Sequence, residues 1–560
     1  AGTASDRYEV RGTADAALGL QSKTVAAWQN HYMDFALERP APVSLPDGNT
    51  VSFVPNDLSV GDLDGDGSLE LVVKWSSNDK DNSHSGYTGP VYIDGYDIDF
   101  NTGETALLWR INLGVNIRAG AHYTQFQVWD YNGDGKAEIM MKTADGSTTY
   151  RSADGTQNSL TKTGHVGAVS AEELPFERIS DEHDYRNDAG YVLDGPEYLT
   201  VFSGEDGRIL DTVDYVPARG NVDAWGDGYG NRVDRFLAAT AYLDGRSPSA
   251  IFSRGYYTRT VIAAYGMIDT DNDGIGDTLQ LQWAWDTDIV SDDYPSVPVT
   301  GQGNHNLVIA DVDGDGKDEI VFGSITIDHD GTLKYSTGLG HGDAMHVSDF
   351  DLDNPGLEVM QVHEDRSAAY GVEIHDAETG TILHGYFTGN DTGRGAAGDI
   401  DPTARGAEFW ATDKPAGAQE GDGAWDSAKG AVYSTDASLG ELRMLSPVNP
   451  AANFILYWDG DLLSEIQDHS FNNAQYVPLT TKITKWDYLQ NKEITIFESD
   501  EILTNNGTKG NMGLVADVIG DWRDEIIGRT PDGSGLRIYS TTYESPYSIP
   551  TGLKERQYRE

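Results

Sequence analysis

Cysteine is absent from all 560 residues, which excludes disulfides, thiolate metal sites and cysteine nucleophiles and leaves the packed core to hold the fold alone. Basic residues are scarce. There are 39 Lys plus Arg against 91 Asp plus Glu, a formal charge of −52, and a field of that sign repels phosphate backbones and anionic lipid. Nucleic acid and membrane surfaces are therefore set aside as partners. No apolar run approaches the ~18 residues of a membrane helix. The opening Ala-Gly-Thr-Ala-Ser has neither a basic stretch nor an apolar segment, so a soluble chain from which any signal peptide has been removed is expected. Sustained 3.6-residue periodicity is also rare, and its nearest example, TVAAWQNHYMDFAL from Thr24, reads equally well as strand.

What is present points to β structure. Twenty-nine Tyr, 15 Phe and 12 Trp are too many aromatics for a disordered acidic chain. The carboxylates do not form runs; they sit in short turns beside some of the 64 glycines, as in a loop-rich, all-β protein.

Those turns repeat. Asp-x-Asp-x-Asp-Gly-x-x-Glu, with Asn once in place of Asp, occurs at Asp62, Asp64, Asp66 and Glu70, at Asp130, Asn132, Asp134 and Glu138, and at Asp311, Asp313, Asp315 and Glu319. Each copy leads into an apolar run such as LVVKW. Looser copies stand at Asp269, Asp271, Asp273 and Asp277; at Asp349, Asp351, Asp353 and Glu358; at Asp399, Asp401 and Glu408; and at Asp517, Asp521 and Glu525. Degenerate turns remain at Asp244-Gly245 and Asp459-Gly460-Asp461. Asp269 lies between the runs RTVIAAYGM and LQLQWAWD and reads as an elaborated hairpin turn. Eight turns are left, beginning at 62, 130, 244, 311, 349, 399, 459 and 517, with spacings from 38 to 114 residues. The shortest spacings are close to the roughly 40–45 residues of a four-stranded blade, so an eight-bladed β-propeller with long loops is the economical fit. Oxygen ligands at i, i+2 and i+4 with a carboxylate at i+8 suit a hard cation, and calcium is expected in these turns as a structural ion.

A second position repeats with different chemistry. His122, His341 and Lys509 each stand eight residues before the first Asp of a turn, His305 stands six before, and Arg394 five before. All lie in glycine-containing segments that enter the first strand of a blade, so they are expected to converge near the propeller axis. Asp343 and Glu364 would join His305 and His341. Ligation rich in histidine suits a transition metal better than calcium, which leaves the identity of an ion in this cleft open.

The segments GDLDGDGSLELVVKW (61–75), DNSHSGYTG (81–89), NIRAGAHYTQFQVWDYNGDGKAEIMMKTADG (116–146), RGYYTRT (254–260), DTGRG (391–395), NNGTKG (505–510) and GDWRDE (520–525) resemble the rhamnogalacturonan lyases of polysaccharide lyase family 11. The resemblance runs in order from about Tyr8 to Tyr558. It implies an eight-bladed propeller with several calcium ions. It also implies an extracellular, secreted bacterial enzyme that cleaves the rhamnose-galacturonate bond of the pectin backbone rhamnogalacturonan I by β-elimination. Carried over residue by residue, His305, His341, Asp343 and Glu364 match a cleft metal site, and Arg394 and Lys509 match basic catalytic candidates. Asn506, Gly507 and Thr508, next to Asn505, match a rhamnose-binding loop; Asn82 is a weaker substrate-binding match, and His122 is placed with them. Residues 1–55 are expected to form a strand segment packed on the propeller of 56–560, a shortened remnant of a fibronectin-like segment in relatives. Those relatives also continue past the position of Glu560, which puts closure of the last blade and one wall of the cleft in question. A monomer is expected.

The chemistry agrees with the resemblance. Removing the C5 proton of galacturonate builds a second negative charge beside a carboxylate, which a cation or several donors must hold. Lys509 is the expected base, if its surroundings leave it neutral. Two rivals stand: a glycoside hydrolase, which needs two suitably spaced carboxylates, and a non-catalytic calcium propeller for adhesion or sugar binding. An unsaturated, ultraviolet-absorbing product separates the lyase from both.

Overall fold

The computed structural model describes residues 7–8, 25–26, 28, 30–100, 102–168, 183–412, 430–439, 442–472, 477–505, 509–554 and 558. Eight antiparallel sheets follow one another along the chain, seven of four strands and the first of six, and two short two-stranded ribbons lie outside them. The first strands of the eight blades are Val54–Gly61, Phe126–Trp129, Phe236–Ala241, Val308–Ala310, Met345–Ser348, Gly395–Gly398, Phe454–Leu456 and Leu514–Ala516. Those of blades 1 to 7 touch their neighbours in order, and that of blade 8 meets blade 1, which makes them the inner ring of an eight-bladed propeller. Second strands lie between neighbouring blades and are buried on both faces. This is why Glu70–Ser76 and Glu138–Ala144 read as near-continuous apolar runs rather than alternating ones.

The last blade draws its fourth strand from the other end of the chain. Tyr32–Ala36 pairs with Gly535–Tyr539, Phe35 opposite Leu536, and Arg537 grips Asp34 with two hydrogen bonds of 2.6 and 3.0 Å. Part of the segment ahead of residue 56 is thus built into the propeller, and the ring is closed by hydrogen bonds between distant parts of the chain.

Every one of the eight turns lies between the first and second strands of its blade. Gly65 and Gly67 both take φ of +83°, which only glycine accepts cheaply, and this bends the chain so that Asp62 receives the amides of Gly65 and Gly67 at 2.7 and 2.8 Å. In seven blades the closing Glu opens the second strand, is buried, and folds one oxygen back onto amides at the start of the turn, those just after the first Asp in six blades and those of Trp458 and Asp459 in blade 7. Glu408 accepts from Ile400 and Asp401 at 3.0 and 2.9 Å, and Glu525 accepts from Val518 and Ile519 at 3.0 and 3.2 Å. In five of these seven the residue before that Glu also donates its amide to the preceding blade's turn, as Ala137 does to Asp62 (2.7 Å), Ala407 to Phe350 (2.9 Å) and Ser464 to Asp399 (2.7 Å).

Blade 3 is the exception: Ser249 stands where the others have Glu. The Asp269 hairpin joins that blade's third and fourth strands, as its flanking runs indicate, and its Gly276 amide reaches Asn132 of the second blade's turn at 2.8 Å.

The turn glutamates carry an expected cost. Glu408→Ala leaves two buried amides without acceptors, at ~1–3 kcal/mol each, so urea unfolding should report a loss of about 3 kcal/mol. A loss below about 1 kcal/mol would show that the turn holds its shape without the carboxylate.

Candidate functional site

First strands run from one face of the propeller to the other, with the acidic turns at their far ends. His305, His341, Arg394, Lys509 and His122 all precede a first strand and therefore sit on the face opposite those turns. Glu364 returns to this face because it follows the second strand of blade 5, Glu358–Val362.

The loops carrying these residues are locked together by backbone contacts. Asn304 and Gly342 form a parallel bridge, His305 donates its amide to Gly342, and Glu364 donates its amide to His341. Gly342 is obligatory here, since a Cβ would stand 1.9 Å from the Val362 carbonyl oxygen.

The nitrogen and carboxylate atoms of His305, His341, Asp343 and Glu364 all lie within 4.8 Å of one another. Asp343 Oδ1 is 3.2 Å from His305 Nε2 and 3.9 Å from His341 Nε2, and Glu364 Oε1 is 3.7 Å from His341 Nε2. His341 Nδ1 donates to the Gly303 carbonyl at 2.6 Å, so its Nε2 carries the lone pair. That Nε2 is buried and has no hydrogen-bond partner among the described residues. Burial, reinforced by Arg232 and Arg235, pulls the His341 imidazole down to about 3, and burial holds His305 well below its usual range. Burial and then the charge of Asp343 push Glu364 up to about 8, while Asp343 itself is raised by burial. Neutral imidazoles beside carboxylates that resist ionising together form a donor set that could hold a divalent cation.

Lys509 and Arg394 close the other side. Burial lowers the Lys509 ammonium; the carboxylates of Asp343 and Glu364 oppose this, and Arg394 adds to it. Arg394 is buried and donates to Asn453 Oδ1 at 2.7 Å. His122 Nε2 lies 3.9 Å from Asp81 and its ring centroid 5.9 Å from that of His305.

Asn82 is fully buried and donates its amide to the Asp234 carbonyl at 2.6 Å, so it supports the wall rather than lining the cleft. Asn505 holds its loop by an amide bond to Asn511 at 2.8 Å. Asn506, Gly507 and Thr508 lie outside the described residues. The turn ligands remain on the opposite face, where the side chains of Asp62, Asp64 and Asp66, of Asp269, Asp271 and Asp273, and of Asp311, Asp313 and Asp315 cluster.

Four residues of the cleft escaped the sequence reading. Tyr257 Oη is 2.9 Å from His305 Nε2, Tyr256 Oη is 3.3 Å from His305 Nδ1, Arg235 donates to Tyr256, and the Arg232 guanidinium lies 3.8 Å over the Tyr257 ring. The RGYYTRT segment held two of them, but no acidic turn follows it at the recurring offset, so spacing alone did not single them out.

The model of rhamnogalacturonan lyase family 11, C-terminal domain, matches residues 32–560. The chain is 47% identical over 560 residues to rhamnogalacturonan exolyase YesX of Bacillus subtilis (strain 168), covering 100% of this chain and 82% of that protein. To rhamnogalacturonan endolyase YesW of the same organism it is 46% identical over 559 residues, covering 100% and 79%. The crystal structure of exotype rhamnogalacturonan lyase YesX superposes with a TM-score of 0.82 at 47% identity, over 96% of this chain and 81% of that one. The Bacillus licheniformis rhamnogalacturonan lyase PL11 gives 0.80 at 45%, over 96% and 80%.

One pH effect follows from the buried imidazoles. Burial, then Arg235, lowers His122 to about 3, so below about pH 6.5 the unfolded chain binds a proton that the folded one refuses. Stability is therefore lost as pH falls through that window, by up to about 1.4 kcal/mol per pH unit for this group. His122→Gln should shrink the difference in urea-unfolding stability between pH 6 and pH 4 by up to about 2 kcal/mol. An unchanged difference would mean that His122 is solvated.

Proposed function

The chain belongs to rhamnogalacturonan lyase family 11 and is a rhamnogalacturonan lyase, and from that footing we propose that it cleaves the bond between rhamnose and galacturonate by metal-assisted β-elimination, with Lys509 as base and Arg394 as carboxylate clamp. The observation that carries this reading is the convergence of a half-buried lysine, a buried arginine and a four-residue His/carboxylate cluster on one face of the propeller.

The donor set fits a divalent cation, because His341 Nε2 is buried without a donor and Asp343 and Glu364 resist carrying charge together. Held by His305, His341, Asp343 and Glu364, the ion would supply positive charge against the galacturonate carboxylate as negative charge builds there.

The side chains of the protein do the rest. Arg394 presents a planar fork to the same carboxylate and is held in place by Asn453. Lys509 needs to be neutral to act. Once the two carboxylates are engaged by a cation, burial and Arg394 remain as the influences on it, and both favour the free amine. The amine takes the C5 proton and the C5–H electron pair becomes the C4–C5 double bond. The C4–O bond breaks, its pair leaving on the rhamnose-linked oxygen, which takes up a proton.

For the acidic turns on the other face we infer calcium, since their donors are all oxygens and burial, joined by the charge of neighbouring aspartates, pushes Glu408 up to about 8 and Glu525 up to about 9. The polymer is met outside the cell, so extracellular action belongs to the same reading.

Absorbance of the unsaturated product tests it. Lys509→Arg, which keeps the charge but cannot serve as a base, should lower kcat about 10²–10⁴-fold with KM little changed, and Arg394→Lys should impair both. If Lys509→Arg raises KM yet keeps substantial turnover, the lysine binds substrate and the base lies elsewhere.

A further inference from the structure

The cations of the cleft are not equally engaged. Arg235 spends its donors on Asn231 and Tyr256, and Arg394 bonds Asn453. Arg232 lies flat on the Tyr257 ring, 3.8 Å from its centroid, and among the described residues its guanidinium makes no hydrogen bond and no ion pair. The nearest acid of its own loop is already used: Asp227 accepts the amides of Tyr229, Gly230, Asn231 and Arg232. Yet Arg232 belongs to the cleft, because the Tyr257 ring beneath it meets His305 Nε2 at 2.9 Å through its hydroxyl and lies 4.3 Å, centroid to centroid, from the His341 ring. Stacking on a ring occupies the faces of a guanidinium and leaves its edge donors free in the plane, the arrangement that grips a carboxylate at two oxygens.

Building on the lyase reading, we propose that Arg232 binds the carboxylate of a second galacturonate of the polymer, neighbouring the one that reacts at Arg394. It is a substrate-binding residue that measures charge along the chain. Arg232→Gln should raise KM for rhamnogalacturonan about ten- to a hundredfold, the worth of a charged hydrogen bond, with the smaller effect on kcat. It should also flatten the rise of KM with salt seen in the wild type. A KM within twofold of wild type overturns the proposal. So does a loss confined to kcat, which would make Arg232 a support for Tyr257. Wild-type protein that releases no unsaturated product would instead overturn the lyase reading itself.

A separate observation concerns the turns. Opposite the closing Glu, on the third strand of the same blade, stand Ser203 against Glu138, Asp376 against Glu358 and Ser434 against Glu408. One residue along from the pairs Leu71 with Tyr96, Ile320 with Ile327 and Ile526 with Tyr539, the same position is held by Asp97, Asp328 and Ser540. Six blades thus place an oxygen there. Blade 7 places Lys485, one residue along from Ile466 with Thr484. Its Nζ lies 2.5 Å from Asp459, 2.7 Å from Asp461 and 2.7 Å from Glu465 Oε1. In blade 6 the corresponding oxygens of Asp399 and Glu408 are buried and accept nothing among the described residues, whereas in blade 4 Lys334 Nζ reaches Asp313 at 2.6 Å and His329 Nδ1 stands 3.8 Å from Glu319.

The geometry points to a built-in cation: Lys485 neutralises the seventh turn, which takes no metal ion, where blade 6 keeps oxygens for one. Lys485→Ser supplies the side chain that blades 2, 6 and 8 carry at this position. Full-length protein stripped with EDTA and dialysed against calcium should then bind one ion per chain more than the wild type. Asp461→Asn, which retains the lysine, should bind the same number as the wild type. Equal counts for Lys485→Ser and wild type overturn the inference, and so does the loss of an ion from Asp461→Asn, which decides the matter even if the first variant does not fold. A wild-type count of zero would argue against calcium in the other turns, a separate result.

Discussion

A buried glutamate that folds back on the backbone of its own turn is the interaction on which the rest of the propeller depends. In seven blades its Oε2 accepts amides that the tight Asp-Gly bend would otherwise leave buried and unpaired, and its backbone opens the second strand. In five of them the amide just before it reaches across to the preceding blade, so there the device that shapes one blade also fixes its angle to the next. Blade 3, which has Ser249 instead, sends a hairpin to the second blade's turn to make a comparable link. The ring is then closed by Tyr32–Ala36 pairing with Gly535–Tyr539.

This arrangement separates two kinds of charge. Acidic turns lie at the far ends of the first strands, and the cleft lies at their entrances, where His305, His341, Lys509 and Arg394 come from four different blades. The first strands are short and rigidly ringed, so a substitution in a turn is felt in the cleft only through the frame. The acidic face also explains how a chain of charge −52 can serve a polyanionic substrate: carboxylates are concentrated away from the cleft, and the cleft gathers Arg232, Arg235, Arg394 and Lys509.

Burial governs the protonation of the cleft more than any pairwise contact does. It is the largest influence on His122, His305, His341, Asp343, Glu364 and Lys509 alike, pushing each toward its neutral form. The result is a set of neutral bases and unwilling acids arranged around a point where positive charge is wanted. For Lys509 the like charge of Arg394 contributes, but dehydration contributes more.

By itself the sequence determined the number of blades and the place of each acidic turn, because the Asp-Gly bend and the glutamate at i+8 are local constraints written in consecutive residues. It also determined that His122, His305, His341, Arg394 and Lys509 share a face, since a position five to eight residues ahead of the turn falls at the entrance of the first strand. Only the tertiary structure decided what those residues meet. That Asn82 is buried against Asp234, that Tyr256 and Tyr257 reach His305, and that Lys485 enters the turn at Asp459 all depend on contacts between segments far apart in the chain. Spacing within a segment carries no information about such contacts, because they are set by how neighbouring blades pack and by which side chains that packing dehydrates.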